Sequence, residues 1–113
     1  MESTWDKGRK LEWYIAEKFR ELGYKNACPS NGSGNKGSSG DISGVENWVV
    51  EAKLRNTKDI TIKEDVWKKL VEEIPLGSER LPLYVLENKN QKRWVVMDLE
   101  DWFYLIGEKN EKT

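Results

Sequence analysis

The feature that most constrains the fold is the order in which helix-like and strand-like patterns alternate along the 113 residues. Helical spacing of apolar residues indicates three helices, over residues 4–22, 61–74 and 98–107. Shorter apolar runs indicate strands. Three lie between the first two helices, at residues 24–28, 41–45 and 48–54, and two follow the second helix, at residues 81–88 and 92–99. The order α-β-β-β-α-β-β-α predicts an α/β fold with a central mixed five-stranded sheet flanked by helices. The length predicts one domain over residues 1–113.

Local signals predict where the helices begin and end. The start signals are Ser3 or Thr4, a capping box at residues 61–64, and Asp98; the stop signals are Gly23, Pro75 with Gly77, and Gly107. The apolar face of the first helix is predicted to comprise Leu11, Ile15, Phe19 and Leu22. Residues 108–113 are predicted to be a frayed tail.

Composition excludes several kinds of chemistry. The chain has no histidine, so the common general base and the commonest zinc ligand are both missing. A single cysteine excludes an intramolecular disulfide and a cysteine metal cluster. Catalysis must therefore use carboxylates, lysines, hydroxyls or a hard cation such as Mg²⁺. A net charge of −1 argues against a simple nucleic-acid coat protein, because such domains are usually basic.

The chain has no pattern that indicates a membrane or secretory segment. No apolar run approaches the 18 or so residues that a spanning helix needs. The N-terminal residues lack the basic and then apolar order of a signal peptide. The expectation is a cytoplasmic protein without membrane contact.

A long loop and a hairpin occupy the middle of the chain. Residues 29–40 are rich in glycine and serine, which predicts a flexible loop of the kind that is usually functional or disordered in a small domain. Residues 41–45 and 48–54 are predicted to pair as a β-hairpin that turns at Glu46 and Asn47.

Charged side chains in this hairpin suggest a metal site. Because strand side chains alternate, Glu51 and Lys53 lie opposite the face formed by Trp48, Val50 and Ala52. Asp41 opens the neighbouring strand and can meet Glu51 across the pair. Two adjacent carboxylates repel each other, and a divalent cation relieves that repulsion. Such a cation would acidify a water molecule and polarise a phosphate, while Lys53 would stabilise the developing charge.

The Glu-x-Lys spacing is not specific by itself. It recurs at Glu87 and Lys89, where the triplet runs into a turn and is interpreted as solvated. The alternative for Asp41, Glu51 and Lys53 is a salt-bridged sheet face. Glu12, at the margin of the first helix's apolar face, is a further candidate acid for the metal site. Alternatively, it forms a surface ion pair with Arg9 one turn earlier.

Together these residues resemble the PD-(D/E)XK nuclease superfamily. The layout is similar to archaeal Holliday-junction resolvases and their viral relatives: KGRKLEWYIAEKFRELGY, a Gly/Ser loop, GDISG and then WVVEAK. The resemblance covers about residues 7–97 and implies a restriction-endonuclease-like fold. Gly40 stands where the motif's name has proline.

The resemblance implies a Mg²⁺-dependent endonuclease, for which Mn²⁺ substitutes, acting on four-way DNA junctions as a homodimer. It makes Glu12, Asp41 and Glu51 metal-linked acids and Lys53 the catalytic lysine, with Arg9 as the basic residue beside the helix glutamate. A loop serine also has a role, and Ser30 and Ser33 are both candidates. The open alternatives are a nuclease for flaps, nicks or duplex DNA, and a catalytically silent DNA- or protein-binding module of the same fold.

Other residues are candidates for binding. Phosphate contacts are predicted for Lys7, Arg9, Lys10, Lys36, Arg55, Lys58 and Arg93, with ordinary solvated charge as the alternative. Trp94 and Trp102 are candidates either for an apolar dimer surface or for core packing.

Overall fold

The computed structural model describes residues 4–30 and 40–111, and Ser33 and Lys36 lie outside these ranges. The elements are α1 (Thr4–Glu21), β1 (Cys28–Pro29), β2 (Ile42–Ser43), β3 (Trp48–Leu54), α2 (Glu64–Glu72), β4 (Leu81–Glu87), β5 (Arg93–Val96) and α3 (Leu99–Glu111). The α/β class is confirmed.

The strands form two sheets, so the predicted five-stranded sheet is wrong. The larger sheet has the order β3-β4-β5; β3 and β4 are parallel and joined through α2, and β5 is antiparallel to β4. The smaller sheet pairs β1 with β2, antiparallel. The predicted hairpin between residues 41–45 and β3 does not form as a ladder, because the backbone turns left-handed at Gly40 (φ 81°) and Gly44 (φ 79°) and leaves β2 only two residues long.

The larger sheet is covered on both faces. On one face, the α1 residues Leu11, Ile15, Ala16 and Phe19 pack with Ile42, Val45, Val50 and Val85. On the other, Val49, Tyr84 and Leu86 pack with Leu70 of α2, and Val66, Trp67 and Ile74 lie against them. Val49 and Val50, adjacent in β3, are both fully buried, so this strand meets a core on each side. Leu22, predicted for the α1 core face, is 76% exposed because α1 ends before it.

The ends of the helices match the sequence signals only in part. The Asp98 carboxylate accepts the Glu100 N–H at 2.9 Å, which confirms Asp98 as a cap of α3. The capping box at 61–64 is wrong, since α2 begins after Lys63 and has no side-chain cap. Gly107 does not end α3, which continues to Glu111, so residues 108–111 of the predicted tail are part of this helix.

We expect Gly40→Ala to destabilise the fold by about 3 kcal/mol. An added Cβ would lie 2.6 Å from the Val50 carbonyl oxygen, at a φ that L-residues rarely adopt. Gly77→Ala is the matched control, because Gly77 has φ 79° and nothing within 4 Å of the added atom, so it should cost only about 1 kcal/mol. Urea unfolding measures both, and equal losses would show that residue 40 does not approach β3 closely.

Candidate active site

Strand β3 places Glu51 and Lys53 on the same side of the sheet. The Glu51 side chain is only 17% exposed, because it follows the buried Val49 on the face that α2 covers. The Lys53 side chain reaches outward, and its Nζ lies 3.3 Å from Glu51 Oε1. The strand thus supplies a largely buried carboxylate with a cation beside it.

Asp41 is fixed against the open edge of β3. Its N–H donates to the Val50 carbonyl at 2.6 Å. Its carboxylate oxygen Oδ2 accepts the Ala52 N–H at 2.8 Å, so the side chain takes the place of a neighbouring strand. Both contacts flank Glu51, and the Asp41 and Glu51 carboxyl groups are close enough to influence each other's pKa.

Burial raises the pKa values of both acids, and the charge of Asp41 raises that of Glu51 further. Burial, followed by the charge of Asp41, raises the pKa of Glu51 to about 6, although Lys53 acts in the opposite direction. Burial also raises the pKa of Asp41, while the Ala52 N–H and the Lys53 ammonium favour its ionised form. A divalent cation would stabilise the ionised form of both carboxyl groups, which neighbouring negative charge and burial otherwise disfavour.

Glu12 joins the pair from α1. Its Oε1 accepts a hydrogen bond from Arg9 Nη1 at 3.1 Å, so the predicted Arg9–Glu12 pair is present. The pKa of Glu12 is raised by burial and then by the charge of Asp41, so the two acids interact electrostatically. Arg9 also donates to the Ser30 carbonyl at 3.2 Å, which fixes the pair beside the start of the Gly/Ser loop.

Glu73 is a fourth acid near this site, and it is not among the residues predicted for the site from the sequence. It is the C-cap residue of α2, its charge contributes to raising the pKa of Glu51, and its Oε2 is buried with no hydrogen-bond partner in the described structure. One signal was available in the sequence. Acidic residues at a helix C-terminus oppose the helix dipole, so Glu72 and Glu73 before Pro75 are unfavourable without another reason.

The donors fit a hard cation. Within residues 4–30 and 40–111, no three acidic, histidine or cysteine side chains converge closely enough to hold a metal ion on their own. Mg²⁺ commonly keeps several waters and binds proteins through one or two carboxylates. Asp41 and Glu51 meet that requirement, since each carboxylate has acceptor capacity beyond its protein contacts.

Of the two candidate loop serines, Ser30 lies at the base of the loop and Ser33 lies outside the described residues. The Ser30 hydroxyl donates to the Gly40 carbonyl at 3.0 Å and lies 3.0 Å from Ser43 Oγ. Its N–H donates to the Asp41 carbonyl at 2.8 Å. These contacts join the two ends of the loop and support the position of Asp41.

The predicted phosphate-binding residues divide into two groups. Lys7, Lys10, Arg55 and Arg93 surround a cavity beside the N-terminal half of α1. Lys58 is exposed in the segment after β3, and Lys36 lies outside the described residues. Arg9 is paired with Glu12, and it therefore lies beside the acidic cluster, which we define as Glu12, Asp41 and Glu51.

The interpretation of the second Glu-x-Lys triplet as solvated holds for Lys89, which is exposed, but is wrong for Glu87 and Asn88, which are buried. Glu87 is 8% exposed and accepts a hydrogen bond from Arg93 Nε at 2.7 Å. Asn88 is buried, and its Oδ1 accepts the N–H groups of Asn90 and Lys92. The turn predicted at residues 88–91 is confirmed, with buried polar groups that are hydrogen-bonded within it.

No family model matches the chain, and neither does any curated protein or solved structure. Among the described residues, no helix combines the length and apolar character needed to cross a bilayer.

The Glu51 pKa predicts how stability depends on pH without metal. Between pH 4.5 and about 6 the folded protein keeps a proton on Glu51 that the unfolded chain has lost. Glu51 therefore makes the unfolding free energy fall as pH rises through this window. We expect Glu51→Gln to stabilise the fold at pH 7.5 by about 1 kcal/mol, a value reduced for solvent screening.

Urea unfolding in EDTA at pH 4.5 and 7.5 measures this effect. The variant should differ less from the native protein at pH 4.5, where Glu51 is mostly protonated in the folded state and about half protonated in the unfolded chain. A variant that loses more stability at pH 7.5 than at pH 4.5 would contradict the assignment.

Proposed function

We propose that this chain is a metal-dependent, structure-specific endodeoxyribonuclease of the PD-(D/E)XK type, and in particular a Holliday-junction resolvase. The observation that carries the proposal is the Asp41–Glu51 pair, two adjacent and partly buried carboxyl groups with Lys53 Nζ 3.3 Å from Glu51 Oε1. The rigid strand β3 carries two of the three groups and the open edge of the same strand fixes the third. Burial combined with like charge is an arrangement that active sites use to shift pKa values.

Each residue has a distinct role in phosphodiester hydrolysis. Asp41 and Glu51 would hold Mg²⁺ or Mn²⁺, and a bound cation supplies an acidified water and charge neutralisation at the phosphate. Lys53 directs its ammonium toward the same region and stabilises the negative charge that develops on the phosphate. Arg9 orients Glu12 beside Asp41, so Glu12 maintains a negative field at the α1 side of the site.

The substrate class follows from charge and from the resemblance of the sequence to the resolvases. We infer that the phosphates of branched DNA are contacted by the basic residues that the sequence predicts for this role: Lys7, Arg9, Lys10, Lys36, Arg55 and Lys58. The flap, nick and duplex alternatives use the same chemistry. The proposal includes a cytoplasmic location, where chromosomal or viral DNA junctions arise.

A second candidate is a catalytically silent DNA- or protein-binding module. The observation that favours it is the Lys53–Glu51 ion pair, in which the Lys53 ammonium balances the charge of Glu51 without a metal ion. Calorimetric titration with Mn²⁺ separates the two functions. Heat from the native protein that is absent with Asp41→Asn supports the nuclease, and no heat from the native protein supports the silent module.

A cleavage assay tests the main proposal. A synthetic four-way junction and a linear duplex of the same sequence are incubated with the protein in Mg²⁺ or in EDTA. The proposal requires paired incisions near the branch point in Mg²⁺ only. Equal cutting of both substrates would support the duplex alternative, and no cutting would support the silent module.

We expect a homodimer formed through α3 and β5. Trp94 and Val95 are exposed on the outer strand of the larger sheet, and α3 exposes a set of large apolar side chains: Leu99, Trp102, Phe103, Tyr104 and Ile106. Neither Trp94 nor Trp102 is a core residue. An apolar surface of this kind on a small domain is typical of an interaction site.

Light scattering at micromolar concentration should therefore give twice the chain mass of 13.2 kDa. The variant Trp102→Glu/Phe103→Glu should be a monomer, because two charges would have to be buried at the interface. Leu76→Glu is the control, since Leu76 is fully exposed elsewhere on the chain. A native monomer, or a dimer that survives the double substitution, would exclude this interface.

A further inference from the structure

Glu73 lies on the side of the larger sheet that carries Glu51. It comes three residues after Leu70, so the two side chains lie on the same side of α2. Leu70 packs in one buried cluster with Val49, which is two residues before Glu51 on the same face of β3. The packing of α2 therefore brings the Glu73 carboxylate close enough to Glu51 for the two charges to interact.

Three features of Glu73 are unfavourable for the fold. Its Oε2 atom is buried and has no hydrogen-bond partner within the described residues, and a buried acceptor that lacks a donor lowers stability. The residue stands at the C-terminal end of α2, where a negative charge opposes the helix dipole. Its carboxylate also repels the charge of Glu51. A divalent cation nearby would favour the ionised carboxylate at this position and so offset these costs.

The described ion pairs leave two negative charges in the site. Two of its four acids are balanced by a basic side chain, at 3.1 Å for the pair on α1 and 3.3 Å for the pair on β3. The other two, Asp41 and Glu73, form no ion pair within the part of the chain that the structure describes. Their combined charge is equal and opposite to that of one divalent cation, whereas the site without Glu73 would have half of it.

We propose that Glu73 is a positioning residue of the candidate metal site, and that its negative charge raises the affinity of Asp41 and Glu51 for a divalent cation. The cation is the one that the proposed function requires, so the inference rests on that function. The ligand oxygens come from Asp41 and Glu51, and Glu73 contributes charge from the α2 side. In a partly buried site this charge acts more strongly than it would in water.

Calorimetric titration with Mn²⁺ at physiological ionic strength tests this role, because exposed charges beyond about 8 Å are then largely screened. Glu73→Gln removes the charge and keeps the size of the side chain, and we expect the Kd for Mn²⁺ to rise about tenfold. Glu72→Gln is the matched control. Glu72 is the exposed acid next to Glu73 at the same end of α2, so both variants have the same net charge. The control should change the Kd by less than about twofold.

Glu73→Asp separates the effect of charge from that of shape. It keeps the negative charge on a side chain that is shorter by one methylene group, so the Kd for Mn²⁺ should stay within about threefold of the native value. Urea unfolding in EDTA establishes that each variant is folded. Glu73→Gln should be at least as stable as the native protein there, because the repulsion of Glu51 is removed.

The Kd values distinguish a failure of this inference from a failure of the proposed function. Equal Kd values for the native protein and Glu73→Gln would overturn the role of Glu73 and leave the metal site intact. An equal rise in Glu72→Gln would also overturn it, because the effect would then follow from net charge alone. If the native protein bound no Mn²⁺, the metal site itself would be rejected, and the role of Glu73 with it.

Discussion

Glu51→Gln is expected to reduce cleavage of a four-way junction in Mg²⁺ by at least about 10³-fold. The substitution keeps the shape of the side chain but removes the charge that, with Asp41, would hold the cation. Lys53 would also lose its partner at Oε1, which now lies 3.3 Å away, and with it the constraint on its position. Gel assays under single-turnover conditions measure the chemical step separately from product release.

Junction binding should change less than about threefold in the same variant, because the predicted phosphate contacts come from other residues. Glu64→Gln is a suitable control, since Glu64 is an exposed acid in α2 whose described ion pair is with Lys68. It should cut at the native rate. Undiminished cleavage by Glu51→Gln would reject the assignment of this acid. A loss of binding equal to the loss of cleavage would instead place Glu51 in DNA recognition.

Mn²⁺ is expected to raise the melting temperature of the native protein by about 5–10 °C at pH 7.5. A ligand that binds only the folded state stabilises it by about 1–3 kcal/mol at concentrations of 10 to 100 times its Kd. The effect should be large here because the cation also removes the repulsion between Asp41 and Glu51, which burial intensifies.

The metal effect should depend on pH in a defined direction. Below the Glu51 pKa of about 6, protons compete with the cation for the carboxylate, so the shift at pH 5 should be smaller than at pH 7.5. Asp41→Asn should abolish the shift at both pH values. Differential scanning fluorimetry with and without Mn²⁺ gives the comparison. An equal shift in Asp41→Asn would mean that the cation binds elsewhere.

The acidic cluster shows which features of the site sequence patterns predict and which depend on the tertiary structure. Alternation within residues 48–54 places Glu51 and Lys53 on one face, because that depends only on strand geometry. The predicted route by which Asp41 meets Glu51 is wrong, since no hairpin ladder forms between their segments. Asp41 reaches β3 through the Val50 carbonyl and the Ala52 N–H instead, and no local pattern encodes those contacts.

The sequence by itself determined the class of fold and the order of the main helices and strands, because helical and strand periodicities are local properties. It also placed most of the core face of α1, and it identified Asp41, Glu51 and Lys53 as one candidate set. Only the tertiary structure decided the division into two sheets, the exposure of Leu22 and α3, the burial of Glu87, and the position of Glu73 near Glu51. These features depend on which distant segments pack together, and that packing is a property of the whole chain.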